Sequence, residues 1–151
     1  MKQSTNCPTR FPWELEDSNT VLIKLVFMAI RRKIEAALRP LGLTPQQSQS
    51  LHFLALNPGV TNADLEKQLF IDKSSVTSLI NGMVKRGWVV RREHAQDARV
   101  KQIFLTDNGQ ELFEISSEAV KKAKDLANER LTEEESRNLQ MLLRKILKSY
   151  E

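Results

Sequence analysis

Asp72-Lys-Ser-Ser-Val-Thr-Ser-Leu-Ile-Asn-Gly-Met-Val-Lys-Arg-Gly87 runs directly into Trp88-Val-Val-Arg-Arg92, a polar tip, and Val100-Lys-Gln-Ile-Phe-Leu-Thr-Asp-Asn-Gly109. In the first piece, Val76, Leu79, Ile80 and Met83 recur at helical spacing. Ser74, Ser75, Thr77, Ser78 and Asn81 share the opposite face. Gly87 ends that helix, and Trp88 to Arg92 and Val100 to Leu105 read as two short strands, because Val89, Val100 and Phe104 are good β formers. A helix showing small hydroxyls, followed at once by a basic two-stranded ribbon, suits duplex DNA. The helix fits the major groove, and the ribbon fits the backbone or the minor groove.

Upstream of this stretch, Thr61-Asn-Ala-Asp64 opens a helix that carries Leu65 and Leu69 inward. A short turn, Ile71-Asp72-Lys73, joins it to the next, which is a helix-turn-helix pattern. Thr44-Pro45-Gln46-Gln47 opens the preceding helix with a cap, a first-position proline and a glutamine three residues after the cap. That helix should run through Leu51, Leu54 and Ala55 to Asn57 and stop at Pro58-Gly59. Residues 43–106 thus read as a winged helix-turn-helix region.

Further out, a helix from Asp17 or Ser18 to Leu38 repeats Leu22, Val26, Ile30, Ile34 and Leu38 at four-residue steps, widened by Val21, Leu25 and Ala29; Pro40 and Gly42 end it. After the ribbon, Thr106 caps a helix expected to reach about Glu129, with Leu112, Ile115, Ala119, Val120, Ala123 and Leu126 as its stripe. Leu131-Thr-Glu-Glu-Glu135 opens a last helix with Leu139, Leu142, Leu143, Ile146 and Leu147 on one side. So small a core cannot cover these long apolar stripes. Residues 17–42 and 107–151 are therefore expected to form a helical dimerisation region, within a single compact domain overall; the alternative is an intramolecular bundle. Residues 1–16, with Pro8, Pro12, Phe11 and Trp13, read as an irregular arm.

Charge is concentrated where the ribbon lies. Between Lys73 and Lys101 stand seven basic residues against Glu93 and Asp97, a net +5, while the whole 151-residue chain carries only +4. A local positive field steers polyanions; a solvated charged surface is the plainer alternative. The apolar run Val21 to Ile30 is broken by Lys24 and followed by Arg31, Arg32 and Lys33, too short and too charged to span a bilayer. The N-terminus lacks an apolar signal region, and the single cysteine excludes an internal disulfide framework, so a cytoplasmic protein without membrane partners is expected. No nucleophile–base arrangement, phosphate-cradling glycine loop or paired-cysteine zinc spacing is visible, and His52 and His94 are too separated for a specific metal site. No enzyme activity, metal or cofactor is expected.

Val76-Thr77, Leu79, Lys85-Arg86-Gly87 and Arg91, followed by Asp97-x-Arg99 and Leu105-Thr106-x-x-Gly109, together resemble the MarR family of bacterial transcriptional regulators over roughly residues 15–149. The Leu131-Thr132-x-Glu-Glu135 helix start is also similar to the family. The resemblance implies a mainly α-helical fold with a small β-wing, dimerised through intertwined first and last helices. It also implies a DNA-binding repressor on an inverted-repeat operator, released by a small aromatic or phenolic acid or by cysteine oxidation. Two positions depart from the family. Gly82 stands where a longer polar or basic residue is usual, and Ser78 where arginine is common, so the base preference need not follow better-known members.

Lys73, Ser74, Ser75, Thr77, Ser78 and Asn81 are the groove-facing candidates, since hydroxyls bond base edges or phosphates and asparagine can pair bidentately with adenine. A solvated face capped by Asp72 or Ser74 is the alternative. At the wing the candidates are Arg91, Arg92, Asp97, Arg99 and Lys101. Arg99 near the tip fits a narrow minor groove, and Asp97 is placed to hold either that side chain or the turn. Arg91, Arg92 and Lys101 read as phosphate contacts or plain surface. Trp88 is expected to anchor the wing. Cys7 raises a thiol-based peroxide-sensing alternative, although only Arg10 is near enough in sequence to lower its pKa. A winged-helix module binding an acidic protein partner is the other alternative; it would need apolar anchors between Ser74 and Asn81.

Overall fold

The computed structural model describes residues 18–151; Cys7, Phe11, Trp13 and the rest of the expected arm lie outside the described residues. Helix α1 (Asn19–Leu38) begins where the Ser18 hydroxyl accepts the Val21 N–H at 3.3 Å. It gives way to a tighter 3-10 turn over Arg39–Leu41, which accommodates Pro40, and closes at Gly42. Helix α2 (Pro45–Leu56) starts with a reciprocal capping box: Gln47 N–H donates to Thr44 Oγ1 at 3.2 Å, and Thr44 N–H donates to Gln47 Oε1 at 2.9 Å. Thr61 and Asp64 build the same device at the start of α3 (Asn62–Leu69). Each box satisfies two orphan donors with residues three apart, which is why local sequence places these starts.

Between α3 and α4 (Lys73–Lys85) the chain turns through Phe70, the one described non-glycine residue with positive φ (54°); its side chain is 93% exposed. Strands β1 (Val89–Glu93) and β2 (Lys101–Leu105) pair antiparallel, with Val89 opposite Leu105, Arg91 opposite Ile103 and Glu93 opposite Lys101. A third segment adds to this ribbon. Ile103 N–H donates to Val60 O at 2.8 Å and Gly59 N–H to Ile103 O at 3.0 Å, so the α2–α3 connection pairs with the root of β2.

Buried apolar side chains come from every part of the reading lobe: Leu51 and Leu54 of α2, Leu65 of α3, Val76, Ile80 and Met83 of α4, Val89 of β1 and Ile103 of β2, with Leu38 closing α1 onto them. Full burial of each contributes about 1.5–3 kcal/mol. This alternation of inner and outer faces fixes both the roll of α4 and the face of the ribbon.

Helix α5 (Asp107–Asp125) stops short of the expected Glu129. Its hydrogen bonding tightens from i+4 to i+3 spacing, with Ala127 N–H donating to Lys124 O and Asn128 N–H to Asp125 O. No glycine or proline marks that change. Its buried line keeps Leu112, Val120 and Ala123 of the expected stripe and departs from it elsewhere. Gly109, Ser116 and Ala123, seven apart, are buried, and Leu112, Phe113 and Val120 pack on the core, whereas Ile115 and Leu126 are exposed. Helix α6 (Glu133–Leu147) opens with the expected capping box of Thr132 and Glu135 and buries none of its residues. The fold is mainly α-helical with a small two-stranded wing and long terminal helices, a winged helix-turn-helix. No helix among the described residues is long and apolar enough to cross a membrane.

Candidate nucleic-acid interface

The polar face of α4 is organised by its cap. Asp72 Oδ1 accepts Ser75 N–H at 2.8 Å and the Ser74 hydroxyl at 2.5 Å, and Oδ2 accepts the Ser75 hydroxyl at 2.9 Å. The Ser74 hydroxyl, then the Ser75 backbone and hydroxyl, hold the Asp72 carboxyl down to about 2, well below its usual 3.8. Thr77 Oγ1 in turn donates to Lys73 O at 2.9 Å. A hydroxyl has one proton, so Ser74, Ser75 and Thr77 have already spent theirs and present lone pairs outward. Lys73 and Ser78 have no partner among the described residues. All these side chains are exposed, with Asn81, on one side of α4.

The wing root is a joint of four hydrogen bonds, two between backbone groups and two made by the Thr106 hydroxyl. Gly87 turns the chain at φ 72°, where a side chain would be strained. The Thr106 hydroxyl donates to Gly87 O at 2.5 Å and accepts Gly109 N–H at 3.1 Å, capping α5. Thr106 N–H donates to Trp88 O, and Trp88 N–H to Met83 O, both at 3.0 Å. A Cβ on Gly109 would lie 2.0 Å from Trp88 O. Trp88 packs against the core while the Arg86 guanidinium covers its ring at 4.9 Å. The motif pieces around Gly87 and Gly109, separate in sequence, are therefore two halves of one hinge that sets the wing against α4.

Along the wing, the expected cations are used differently. Arg91 Nη2 donates to Asn81 Oδ1 at 2.6 Å, spanning from β1 to the polar face of α4. The Arg92 guanidinium lies over the Phe104 ring at 5.2 Å. Lys101 Nζ meets Glu93 Oε1 at 2.6 Å, a contact that holds the Glu93 carboxyl below its ordinary range. At the tip, Asp97 Oδ1 accepts the Arg99 backbone N–H at 3.0 Å. Asp97 thus shapes the turn, and the Arg99 guanidinium is exposed with no partner among the described residues. His94 serves the same loop: its Nδ1 accepts Gln96 N–H at 3.2 Å. Sequence reasoning named each of these residues but missed the Asn81–Arg91 and Lys101–Glu93 pairings. The second was readable from strand register, the first from neither local pattern nor spacing.

A cavity of about 700 Å³ opens between α2, α3 and α5. His52, Phe53, Val120, Lys121, Lys124 and Asp125 are among the residues that line it. His52 meets Phe113 edge to face, ring centroids 5.5 Å apart. Among the described residues no group of three His, Cys, Asp or Glu side chains could hold a metal ion.

Known proteins are similar to this chain in sequence and in fold. A family model described as the MarR family matches residues 41–100. The multiple antibiotic resistance protein MarR of Escherichia coli is 30% identical over 129 residues, 83% of this chain and 88% of the relative. An HTH-type transcriptional repressor of Mycobacterium tuberculosis is 26% identical over 125 residues, covering 83% of this chain and 90% of its own. Among solved structures, a cysteine-to-serine variant of Escherichia coli MarR complexed with operator DNA superposes with a TM-score of 0.75 at 28% identity, over 83% of this chain and 91% of that one. A MarR family protein of Mycobacterium tuberculosis in complex with salicylic acid gives 0.69 at 25% identity, over 87% and 97%. The chain belongs to the MarR family of winged-helix, DNA-binding transcriptional regulators, which are not enzymes.

Proposed function

We propose that the protein is a homodimeric repressor that binds a pseudo-palindromic operator and releases it when a small aromatic or phenolic acid binds. The observation that carries the DNA geometry is the Arg91–Asn81 bond, which sets the wing beside the polar face of α4. With that face in the major groove, Lys73 and Ser78 donate to the backbone or base edges, Ser74, Ser75 and Thr77 accept, and Asn81 reaches a base. The Arg99 guanidinium enters the flanking minor groove from a turn shaped by Asp97, and Arg92 and Lys101 line the approach to phosphates.

Dimerisation rests on apolar surface that the single chain leaves open. On α1, Leu22, Leu25, Val26 and Phe27 are all exposed, and on α6 Leu139, Leu142, Leu143 and Leu147 are too. A helix with an apolar stripe and no buried residue gains too little from its own chain to be held in place. Pairing residues 17–42 and 107–151 across a two-fold axis covers both stripes. It also spaces two copies of the 43–106 reading region for successive major grooves.

The α2–α3–α5 cavity supplies the effector site: aromatic rings and Val120 for an aryl group, and Lys121 and Lys124 for its carboxylate. The salicylic acid complex of the mycobacterial relative supports that ligand class. Control follows only if the ligand prefers the recognition-helix spacing that does not fit DNA. Footprinting on bound genomic fragments, with sedimentation of the free protein, should give two-fold symmetric protection and a dimer. Protection of one asymmetric half-site by a monomer would overturn the reading. Salicylate titrated into the complex should release DNA, less so in Lys124→Ala; release indifferent to the cavity would remove the effector site.

A further inference from the structure

We propose that Arg91 is a positioning residue that locks the Asn81 carboxamide so that α4 offers a base edge an N–H donor. The inference rests on the DNA-binding reading above and assigns the chemistry of one base contact within it. Arg91 Nη2 and Asn81 Oδ1 are 2.6 Å apart, a short charge-assisted bond. A guanidinium has only donors, so the oxygen end of the amide must face it; the flipped amide would set N–H against N–H. The Nδ2 end is the end left over for a ligand.

Both roots of this contact are held. Arg91 is paired with Ile103, which is wholly buried and itself bonded to Val60. Asn81 follows Ile80 of the core on α4. The rest of the α4 face sharpens the consequence. Ser74, Ser75 and Thr77 have committed their protons to Asp72 and to Lys73 O, so Ser78 and Asn81 Nδ2 are the neutral side-chain donors left on that face. Bidentate pairing with adenine needs Asn81 Oδ1 to accept from N6 as well, through the one lone pair that Arg91 leaves it and with the guanidinium standing 2.6 Å away at that end of the amide. Guanine asks for donors alone, at N7 and O6. Adenine offers that donor only N7 and sets its own N6 amino group beside it, so Asn81 favours guanine over adenine at one symmetric position in each half-site, and Arg91 acts through Asn81 rather than on a phosphate.

The test measures binding of the full-length protein to a library of operator duplexes, across a salt series, for wild type, Arg91→Ala and Asn81→Asp. Arg91→Ala should lose roughly tenfold discrimination at that one position, the size of a good base contact, with the salt slope unchanged. Asn81→Asp keeps the partner of Arg91 but removes the donor, and should turn the preference there towards a base that itself donates, cytosine or adenine. A misfolded fraction would lower binding to every sequence alike and could not reproduce this pattern. A uniform loss over all sequences in Arg91→Ala, with the salt slope falling by about 0.9 per protomer, would make Arg91 a phosphate contact and overturn the proposal. So would an Asn81→Asp protein with wild-type base preference. Failure of the wild type to bind any duplex would instead overturn the DNA reading on which the proposal stands.

Discussion

Gly109→Ala sets two effects against each other at the wing root, and the geometry decides between them. Alanine inside a helix is favoured over glycine by about 1 kcal/mol, so propensity alone predicts a more stable protein. The new Cβ, however, would sit 2.0 Å from Trp88 O and 2.9 Å from Trp88 C, against an ordinary contact of 3.4 Å or more. Relief needs a backbone shift of more than 1 Å, and no side chain can give way instead. Moving Trp88 O also strains the Thr106 N–H bond that it accepts at 3.0 Å. Overpacking costs about 1–3 kcal/mol and a weakened hydrogen bond about 1. After the helix gain, the variant should be less stable by about 1–3 kcal/mol. Urea unfolding at fixed protein concentration measures this directly. Because the same joint sets the wing against α4, DNA affinity should fall even where the variant is fully folded. A Gly109→Ala protein as stable as wild type would refute the close-approach reasoning.

Other consequences are independent of that joint. Phe70→Gly relieves a left-handed residue whose side chain packs on little, and should raise stability by about 1 kcal/mol in the same assay; lower stability would show that Phe70 makes a contact worth more than its strain. Asp72 has a folded pKa of about 2 against an ordinary 3.8, so its charged form stabilises the fold. That contribution is complete above about pH 4 and is lost as pH falls towards 2. Asp72→Asn, which still caps the helix, should therefore show a shallower acid loss of thermal stability than wild type, and parallel pH curves would contradict the cap network. In the proposed dimer, Leu142→Glu places a charge in the exposed α6 stripe and should leave a monomer in sedimentation where wild type gives a dimer; a variant as dimeric as wild type would move the interface elsewhere.

The helix starts were legible because each is a contact between residues three apart. Thr44 with Gln47, Thr61 with Asp64, Asp72 with Ser75 and Thr132 with Glu135 can all be read without a fold. The inward face of α4 was legible for the same reason, since periodicity alone separates Val76, Ile80 and Met83 from the serines. What sequence could not supply was distance between elements. The Val60–Ile103 bridge, the Asn81–Arg91 bond and the α2–α3–α5 cavity join residues whose separation along the chain carries no pattern. The expected stripe of α5 held Ala123 but misplaced Ile115, because the rest of the buried line is Gly109 and Ser116, small residues that hydrophobicity does not flag. The turn at Phe70 escaped notice because left-handed residues announce themselves as glycine or asparagine, not phenylalanine. Asp97 was read with two partners in view, and the structure gives it the backbone of the turn.

Binding of duplex DNA by wild type and Arg99→Ala, followed by fluorescence anisotropy across a salt series, tests the account most directly. The wing tip and α4 together predict nanomolar-to-micromolar binding at low salt that falls steeply as salt rises. They also predict weaker binding in Arg99→Ala, with the salt slope reduced by about 1 for each protomer. Binding indifferent to Arg99, or no binding at low salt, would contradict it.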